Sequence, residues 1–260
     1  MSEKRSSKDL PEAARTGNAD YDWSVFDSEY YFQHYYGDPH PDDDLVIELA
    51  VAAMKEAAPK DAALSVVDVG TGPNLIPFFA ALPRAAKLTA WEFAQSNVDW
   101  LKRELANDEM RVQWRHFWPV ARKAYGSSFE MPENPIPALR AKAEIIQGSV
   151  FDLPAQTWDA ATMFFCAESI TERQDEFEEA CAAFARCVKP GGALIAAFLV
   201  RSGGYVVADR PFPVLHLNEG VIQTVFERYA DNVKAELIGI VEREIRSGYS
   251  GFIFLTGRAR

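Results

Sequence analysis

Two glycines and two carboxylates carry the chemistry that the spacing of this chain allows. Gly70 and Gly72 lie in Ser65-Val-Val-Asp-Val-Gly-Thr-Gly-Pro-Asn74. Neither has a Cβ, so the backbone can bend sharply there and come close to a ligand. Glu92 stands at the tip of the next apolar run, Lys87-Leu-Thr-Ala-Trp91. A carboxylate at that place can accept hydrogen bonds from both hydroxyls of a ribose. Glu168 follows a later run that ends Phe164-Phe-Cys-Ala-Glu168. It is placed to take up the proton of a reacting amine or to stabilise the charge that develops on it. Its plainer reading is a helix-capping or surface carboxylate.

Two nucleotide classes use such a turn. Nicotinamide and flavin dinucleotides want G-x-G-x-x-G, whose third glycine lets helix and strand pack around a pyrophosphate. Here that third position is Leu75, behind Pro73 and Asn74, so a dinucleotide fits poorly. S-adenosylmethionine has no phosphate, and its sites in doubly wound folds read D-x-G-x-G-x. The pattern favours this methyl donor, and a glycine turn with no ligand stays open.

Positioning these groups takes alternating strands and helices. Ser65 to Val69 reads as a buried strand, and Leu75 to Leu82 as a helix whose free N–H groups face the turn. A helix from Ser96 to Leu105 follows Glu92. Met110 to Tyr125 is expected as a helix and then an irregular, proline-rich loop; Trp114 could wall a pocket, and His116 reads as structural. Ala143 to Gln147 is the third strand, with Ser149 and Val150 beyond its end. Trp158 to Cys166 is the fourth strand. Thr171 to Val188 is an amphipathic helix, with Phe177, Cys181, Phe184 and Val188 at helical spacing. Lys189-Pro-Gly-Gly192 should turn it into a fifth strand, Ala193 to Val200. An irregular or hairpin stretch leads to Leu217, Asn218 caps a helix to Tyr229, and Ala235 to Arg243 and Gly251 to Thr256 close the sheet. The fold expected is α/β: a doubly wound, mostly parallel seven-stranded sheet, Rossmann-like, with an N-terminal helical lid.

That lid is the densest aromatic stretch of the chain, Tyr21 to Tyr36, with eight rings in sixteen residues. Ser28 is the expected cap of its helix. The run reads either as packing or as a lid whose tyrosines offer an apolar body and a hydroxyl tip. Asp42-Asp-Asp44 opens the next helix, to Ala57, and complements its dipole. Residues 1–20 are polar and expected as a disordered tail. Residues 21–260 then form one domain, with the lid helices over 21–60 and the core over 61–260.

The composition narrows the function classes. A net charge of −11 and a hydrophobic content of 48% fit a core-forming chain without the basic clusters a nucleic-acid surface needs. No apolar run approaches the roughly 18–20 residues of a membrane span, and no signal peptide is legible. Cys166, Cys181 and Cys187 have no metal-ligand spacing and suit reduced thiols in a cytoplasm. The expected state is a monomer or weak homo-oligomer.

The order of these motifs resembles a class I S-adenosylmethionine-dependent methyltransferase, and more closely the family acting on nicotinamide, phenylethanolamine and thioethers. Phe26-Asp-Ser-Glu-Tyr-Tyr-Phe-Gln-His-Tyr-Tyr36 is similar to that family's F-x-P-R-x-Y-L-x-x-Y-Y. Asp68-Val-Gly-Thr-Gly-Pro73 resembles D-I-G-S-G-P. Glu92-Phe-Ala-Gln-Ser-Asn97 resembles D-Y-x-x-x-N, and Phe165-Cys-Ala-Glu168 resembles F-C-L-E. The resemblance implies cofactor contacts from Tyr31 and Tyr36. It implies others from Asp68, Gly70, Gly72 and Pro73 in the turn, and from Glu92, Phe93 and Asn97 after the second strand. Ser149 and Val150 would flank the adenine, and Phe165 would close the set. Ser149 stands where the family has Asp, and Ser28-Glu29 replaces Pro-Arg. Arg246 to Gly251 offers no second carboxylate, which argues against a strongly cationic acceptor. Tyr205 matches a substrate-pocket tyrosine. The implied partner is a small-molecule methyl acceptor, reached at nitrogen with Glu168 as proton acceptor; oxygen, sulfur or a weakly catalytic binding protein remain as alternatives.

Overall fold

In the computed structural model, which describes residues 15–240 and 248–260, seven strands form one sheet in the order β3-β2-β1-β4-β5-β9-β8. The strands are β1 Leu64–Val69, β2 Ala85–Glu92, β3 Ala143–Gln147, β4 Trp158–Phe164, β5 Val188–Leu199, β8 Ala230–Gly239 and β9 Gly251–Ala259. β1 pairs in parallel with both β2 and β4, while β9 runs antiparallel to β5 and β8. The central strand is built from valines, and Val66, Val67 and Val69 are buried. A strand covered by helices on both faces wants such β-branched, apolar residues. Strand order reverses beside β1, so the carboxyl ends of β1, β2 and β4 border a crevice, as the doubly wound arrangement requires.

The helices are α1 Ser28–Tyr36, α2 Pro41–Glu56, α3 Ile76–Ala81, α4 Gln95–Ala106, α5 Trp114–Tyr125, α6 Ile136–Lys142, α7 Gln174–Cys187 and α8 Glu219–Phe226. A small hairpin, β6 Tyr205–Val207 and β7 Arg210–Phe212, stands after β5. α2, α3, α4, α5 and α6 bury their apolar sides in one core layer, and α7 and α8 in the other.

Several boundaries depart from the sequence reading. Asp27, not Ser28, caps α1, its carboxylate accepting the N–H of Tyr30 at 2.9 Å. His40 caps α2 through Nδ1, which accepts the Asp42 N–H at 3.1 Å. α6 lies inside the expected proline-rich loop, because Pro137 sits in its first turn, where a missing N–H removes no helical bond. β5 already starts at Val188 and runs through Lys189-Pro-Gly-Gly192. β8 begins at Ala230 rather than Ala235; the part of its expected extension past residue 240 lies outside the described residues. The tail expectation also lies outside them through residue 14. Residues 16–18 instead dock on the start of α7: the Asn18 N–H donates to Glu176 Oε2 at 2.8 Å and the Thr16 N–H to Glu172 Oε2 at 3.4 Å.

Candidate active site

The crevice at the carboxyl edge widens into a cleft of about 870 Å³ that is open to solvent. Its floor is the turn after β1, with Gly70 at φ +67° and Gly72 at φ +60°. The two glycines serve different ends. A Cβ on Gly70 would lie 2.2 Å from Cys166 Sγ, so the turn could not pack against β4. A Cβ on Gly72 would meet no protein atom nearer than 4.0 Å, so the space it leaves belongs to the cleft. Thr71 Oγ1 donates to the Asp68 carbonyl at 3.1 Å and pins the bend.

Glu92, at the end of β2, is tied to that turn. Its Oε2 accepts the Gly72 N–H at 2.7 Å, and its Oε1 accepts the Ala94 N–H at 2.8 Å and Asn97 Nδ2 at 3.2 Å. Burial raises its pKa, and these hydrogen bonds pull it back. The carboxylate is therefore held rigid and dry at the cleft wall. Asn97 in turn takes the Ser28 hydroxyl on its Oδ1 at 2.7 Å, which anchors α1 over the site.

The neighbouring residue Glu29 extends that anchor. It accepts from Trp100 Nε1 at 2.8 Å and Arg111 Nη1 at 2.7 Å, and Arg111 Nε lies 2.6 Å from Glu104 Oε2. Burial of Glu29 opposes ionisation, but Arg111, Gln33 and Trp100 outweigh it and hold the carboxyl down at about 2. The Ser28-Glu29 pair that replaces Pro-Arg thus fastens the lid to α4 and to Arg111 in the segment that follows it.

The cleft brings together most of the residues read from the sequence. Tyr31, Tyr36, Gly70, Gly72, Pro73 and Glu92 line it, as do Phe93, Asn97, Ser149, Val150, Phe165 and Tyr205. Phe165 adopts φ +56° at the end of β4, a conformation bulky residues seldom take and one that clusters at ligand sites. The Phe165 N–H donates to the Ala197 carbonyl at 2.7 Å and holds it there. The Tyr205 hydroxyl donates to the Ser169 carbonyl at 3.2 Å. Its ring meets Tyr31 edge-on at 6.3 Å and Phe212 face-on at 5.5 Å.

Three residues lie elsewhere than the sequence reading put them. Asp68 is absent from the cleft wall. Side chains alternate along β1, and its carboxylate points under the turn to accept Thr162 Oγ1 at 2.6 Å. Glu168 is fully buried behind the wall. A short 3₁₀ turn, Ala167–Ser169, rotates it inward. There Oε1 accepts the Leu199 N–H at 2.8 Å, while its own carbonyl accepts the Leu215 N–H at 2.7 Å. Trp114 belongs to the core, donating to Glu104 at 2.6 Å. His116 pairs with Asp44 at 2.8 Å, in keeping with its structural reading.

Sequence reasoning missed other parts of the wall. Trp23 and Phe26 belong to the aromatic run that pointed to a lid, so their signal was present. Cys166 also lines the cleft; burial and the carboxylates of Glu92, Glu168 and Asp68 raise its thiol pKa well above the ordinary value, which keeps it from acting as a thiolate. Asn18 and Ile170 reach the wall too, and no local pattern marks either.

The residues present fit a nucleoside carrying an amino-acid tail. Glu92 offers ribose-binding oxygens, and the space above Gly72 admits close approach. Two comparisons bear on what the cleft serves. The sequence pattern of the NNMT/PNMT/TEMT family matches residues 14–256. Indolethylamine N-methyltransferase of Mus musculus is 20% identical over 200 residues, 74% of this chain and 76% of that protein. Among solved structures, a methyltransferase of Methanosarcina mazei superposes with a TM-score of 0.51 at 12% identity, over 78% of this chain and 95% of that one. The 1,6-didemethyltoxoflavin-N1-methyltransferase of Burkholderia thailandensis, with that compound and S-adenosylhomocysteine bound, gives 0.50 at 13% identity, over 89% and 86%. At these identities the structures share the fold alone. With the family pattern spanning nearly all of its length, the chain belongs to the NNMT/PNMT/TEMT family and is an S-adenosylmethionine-dependent methyltransferase.

Proposed function

We propose that this methyltransferase acts on a small molecule, at a nitrogen of an amine or of a heteroaromatic ring. The observation that carries the reading is one cleft lined by the glycine turn and Glu92 together with the rings of Trp23, Phe26, Tyr31 and Tyr205. Bound S-adenosylmethionine supplies a methyl group on a sulfonium, whose displacement needs no acid. Glu92 would hold the ribose hydroxyls, with Asn97 fixing the carboxylate. Pro73 and the two glycines would receive the tail, Phe93, Ser149 and Val150 the base, and Tyr31, Tyr36 and Phe165 would exclude water. Asp68 supports the turn from below without touching the ligand.

The acceptor must be held in line and near contact distance, which can supply several kcal/mol. Its nitrogen must also be neutral to attack. Among the described residues no carboxylate but Glu92 lines the cleft. The site therefore suits a nitrogen that is neutral before it enters. The aromatic wall suits a flat, apolar body with a polar handle. The compounds named for the mouse and Burkholderia relatives support a nitrogen in or near an aromatic ring. The protein's three cysteines are buried and free, which suits a reducing compartment, and we place it in the cytoplasm.

The test is release of S-adenosylhomocysteine on a panel of amines, heteroaromatics, phenols and thiols, with the products identified. Turnover on nitrogen acceptors is expected. Turnover confined to phenols or thiols moves the reaction to oxygen or sulfur. Cofactor binding with no turnover on any class favours the second reading, a binding protein without catalysis, which the burial of Glu168 away from the cleft would explain.

A further inference from the structure

We propose that Asn18 is a recognition residue for the 6-amino group of the adenine. The inference rests on the methyl-donor reading above and goes beyond it to a residue in the N-terminal strap, residues 16–27 ahead of α1. Along the carboxyl edge, the turn after β1 receives the tail of such a ligand and Glu92 receives its ribose. The base, on the far side of the ribose, then lies toward the tip of β3, at Gly148, Ser149 and Val150. Those three residues carry no carboxylate. The Ser149 hydroxyl already accepts the Phe151 N–H at 3.3 Å, and its carbonyl accepts Trp91 Nε1 at 2.9 Å. An exocyclic amino group is a donor, and a wall that leaves it without an acceptor loses affinity for it.

Asn18 reaches the same region from another part of the chain. α7 packs against the 3₁₀ turn Val150–Asp152 that follows Ser149, and the strap docks on the start of α7. The Asn18 N–H donates to Glu176 Oε2 at 2.8 Å, and its carbonyl accepts Trp23 Nε1 at 3.2 Å and the Tyr21 N–H at 3.3 Å. Its side-chain Nδ2 donates to the Ile170 carbonyl at 3.1 Å. That last bond fixes which end of the amide faces Ile170. It leaves Oδ1 as the one polar atom of Asn18 without a protein partner among the described residues, and Asn18 lines the cleft.

The other two asparagines of the wall have no such oxygen to offer. Asn74 Oδ1 accepts the Ile76 N–H at 2.8 Å, and Asn97 Oδ1 accepts the Ser28 hydroxyl at 2.7 Å. Glu92, which holds Gly72, Ala94 and Asn97, has its remaining acceptor capacity at the ribose in the methyl-donor reading. Asn18 therefore supplies, from the strap, an amide oxygen with no protein partner among the described residues, beside a tip of β3 whose side-chain acceptor, the Ser149 hydroxyl, is already engaged. Closing the strap and reading the base become one event.

The experiment is calorimetric binding of S-adenosylhomocysteine and of its analogue with hydrogen in place of the 6-amino group. The parent should prefer the amino compound. Asn18→Ala also removes the Nδ2 bond to Ile170, so it should weaken both ligands, and the amino compound by about three- to tenfold more than the deamino analogue, the loss of one neutral hydrogen bond. Glu176→Gln loosens the strap without removing Oδ1, and should weaken both ligands equally. Equal weakening of both ligands by Asn18→Ala would make Asn18 a strap anchor only and overturn the assignment, as would no change at all. Failure of the parent to bind S-adenosylhomocysteine would overturn the methyl-donor site itself, a separate outcome.

Discussion

Glu168 and Asp68 show how a carboxylate's place in the chain differs from its job. Both stand at strand ends on the ligand side of the sheet, and both turn their side chains into the protein. Glu168→Gln keeps an oxygen for the Leu199 N–H, so turnover should stay far above the loss of about 10²–10⁴ expected of a proton-transfer group. Glu168→Ala leaves that N–H buried without its acceptor and should cost about 1–3 kcal/mol in denaturant unfolding. A Gln variant that folds like the parent and loses activity a hundredfold would return Glu168 to the chemistry. Asp68 makes a pH prediction. Burial pushes its carboxyl up to about 7, against the bond from Thr162, and the nearby Glu92 charge pushes it further the same way. The folded protein then keeps a proton there, between about pH 4 and 7, that the unfolded chain releases. Stability therefore falls as pH rises through that window and levels off above it. Asp68→Asn holds no such proton and should shrink the parent's loss of stability between pH 5 and pH 8, by at most about 3 kcal/mol. Identical pH profiles for the two proteins would show that Asp68 is ionised throughout.

At the scale of elements, what could be read from the sequence was what is local in it. β1, its glycine turn and Glu92 follow from a valine run and fixed spacings, and their geometry came out as their residues demand. α6 escaped because prolines that forbid a helix interior are tolerated in a first turn. The direction of Glu168 escaped because a 3₁₀ turn of three residues decides it, and no periodicity marks so short a piece. Asn18 escaped because its partners, Glu176 and Ile170, lie more than 150 positions away. The β6–β7 hairpin was expected only as irregular or hairpin chain, and its turn residues explain why. Ala208 and Asp209 both take positive φ, at 43° and 66°, where a two-residue hairpin favours Asn-Gly. The Ala208→Asn, Asp209→Gly double variant should therefore stabilise the protein by on the order of 1 kcal/mol, seen as a higher denaturant midpoint with an unchanged slope. A lower midpoint would mean that contacts of these two side chains outweigh the relief of strain.

At the scale of the molecule, the strap, α1 and the hairpin form one cover over the crevice. Trp23 and Phe26 meet Phe212 at 5.2 and 5.1 Å, and Tyr31 meets Tyr205 at 6.3 Å. These rings form a small cluster apart from the two main cores. A cluster of four buried residues outside the main cores opens at less cost than the core does. Phe32 and Tyr36 tie α1 to the main core; the rest of the fastening is polar: Ser28 to Asn97, Glu29 to Arg111 and Trp100, and residues 16–18 to Glu172 and Glu176. Asn97 also holds Glu92, so a ligand that orders Glu92 also orders the anchor of α1. Ligand binding should then stabilise the cover as a unit, by the mass-action term that favours any state the ligand prefers. Saturating S-adenosylhomocysteine should slow backbone hydrogen exchange over residues 16–36 and over 205–212 together, with the outer strand β8 unaffected. Protection of the glycine turn and Glu92 alone, with exchange in both cover segments unchanged, would mean that the cover is fixed packing and that the acceptor enters by another face.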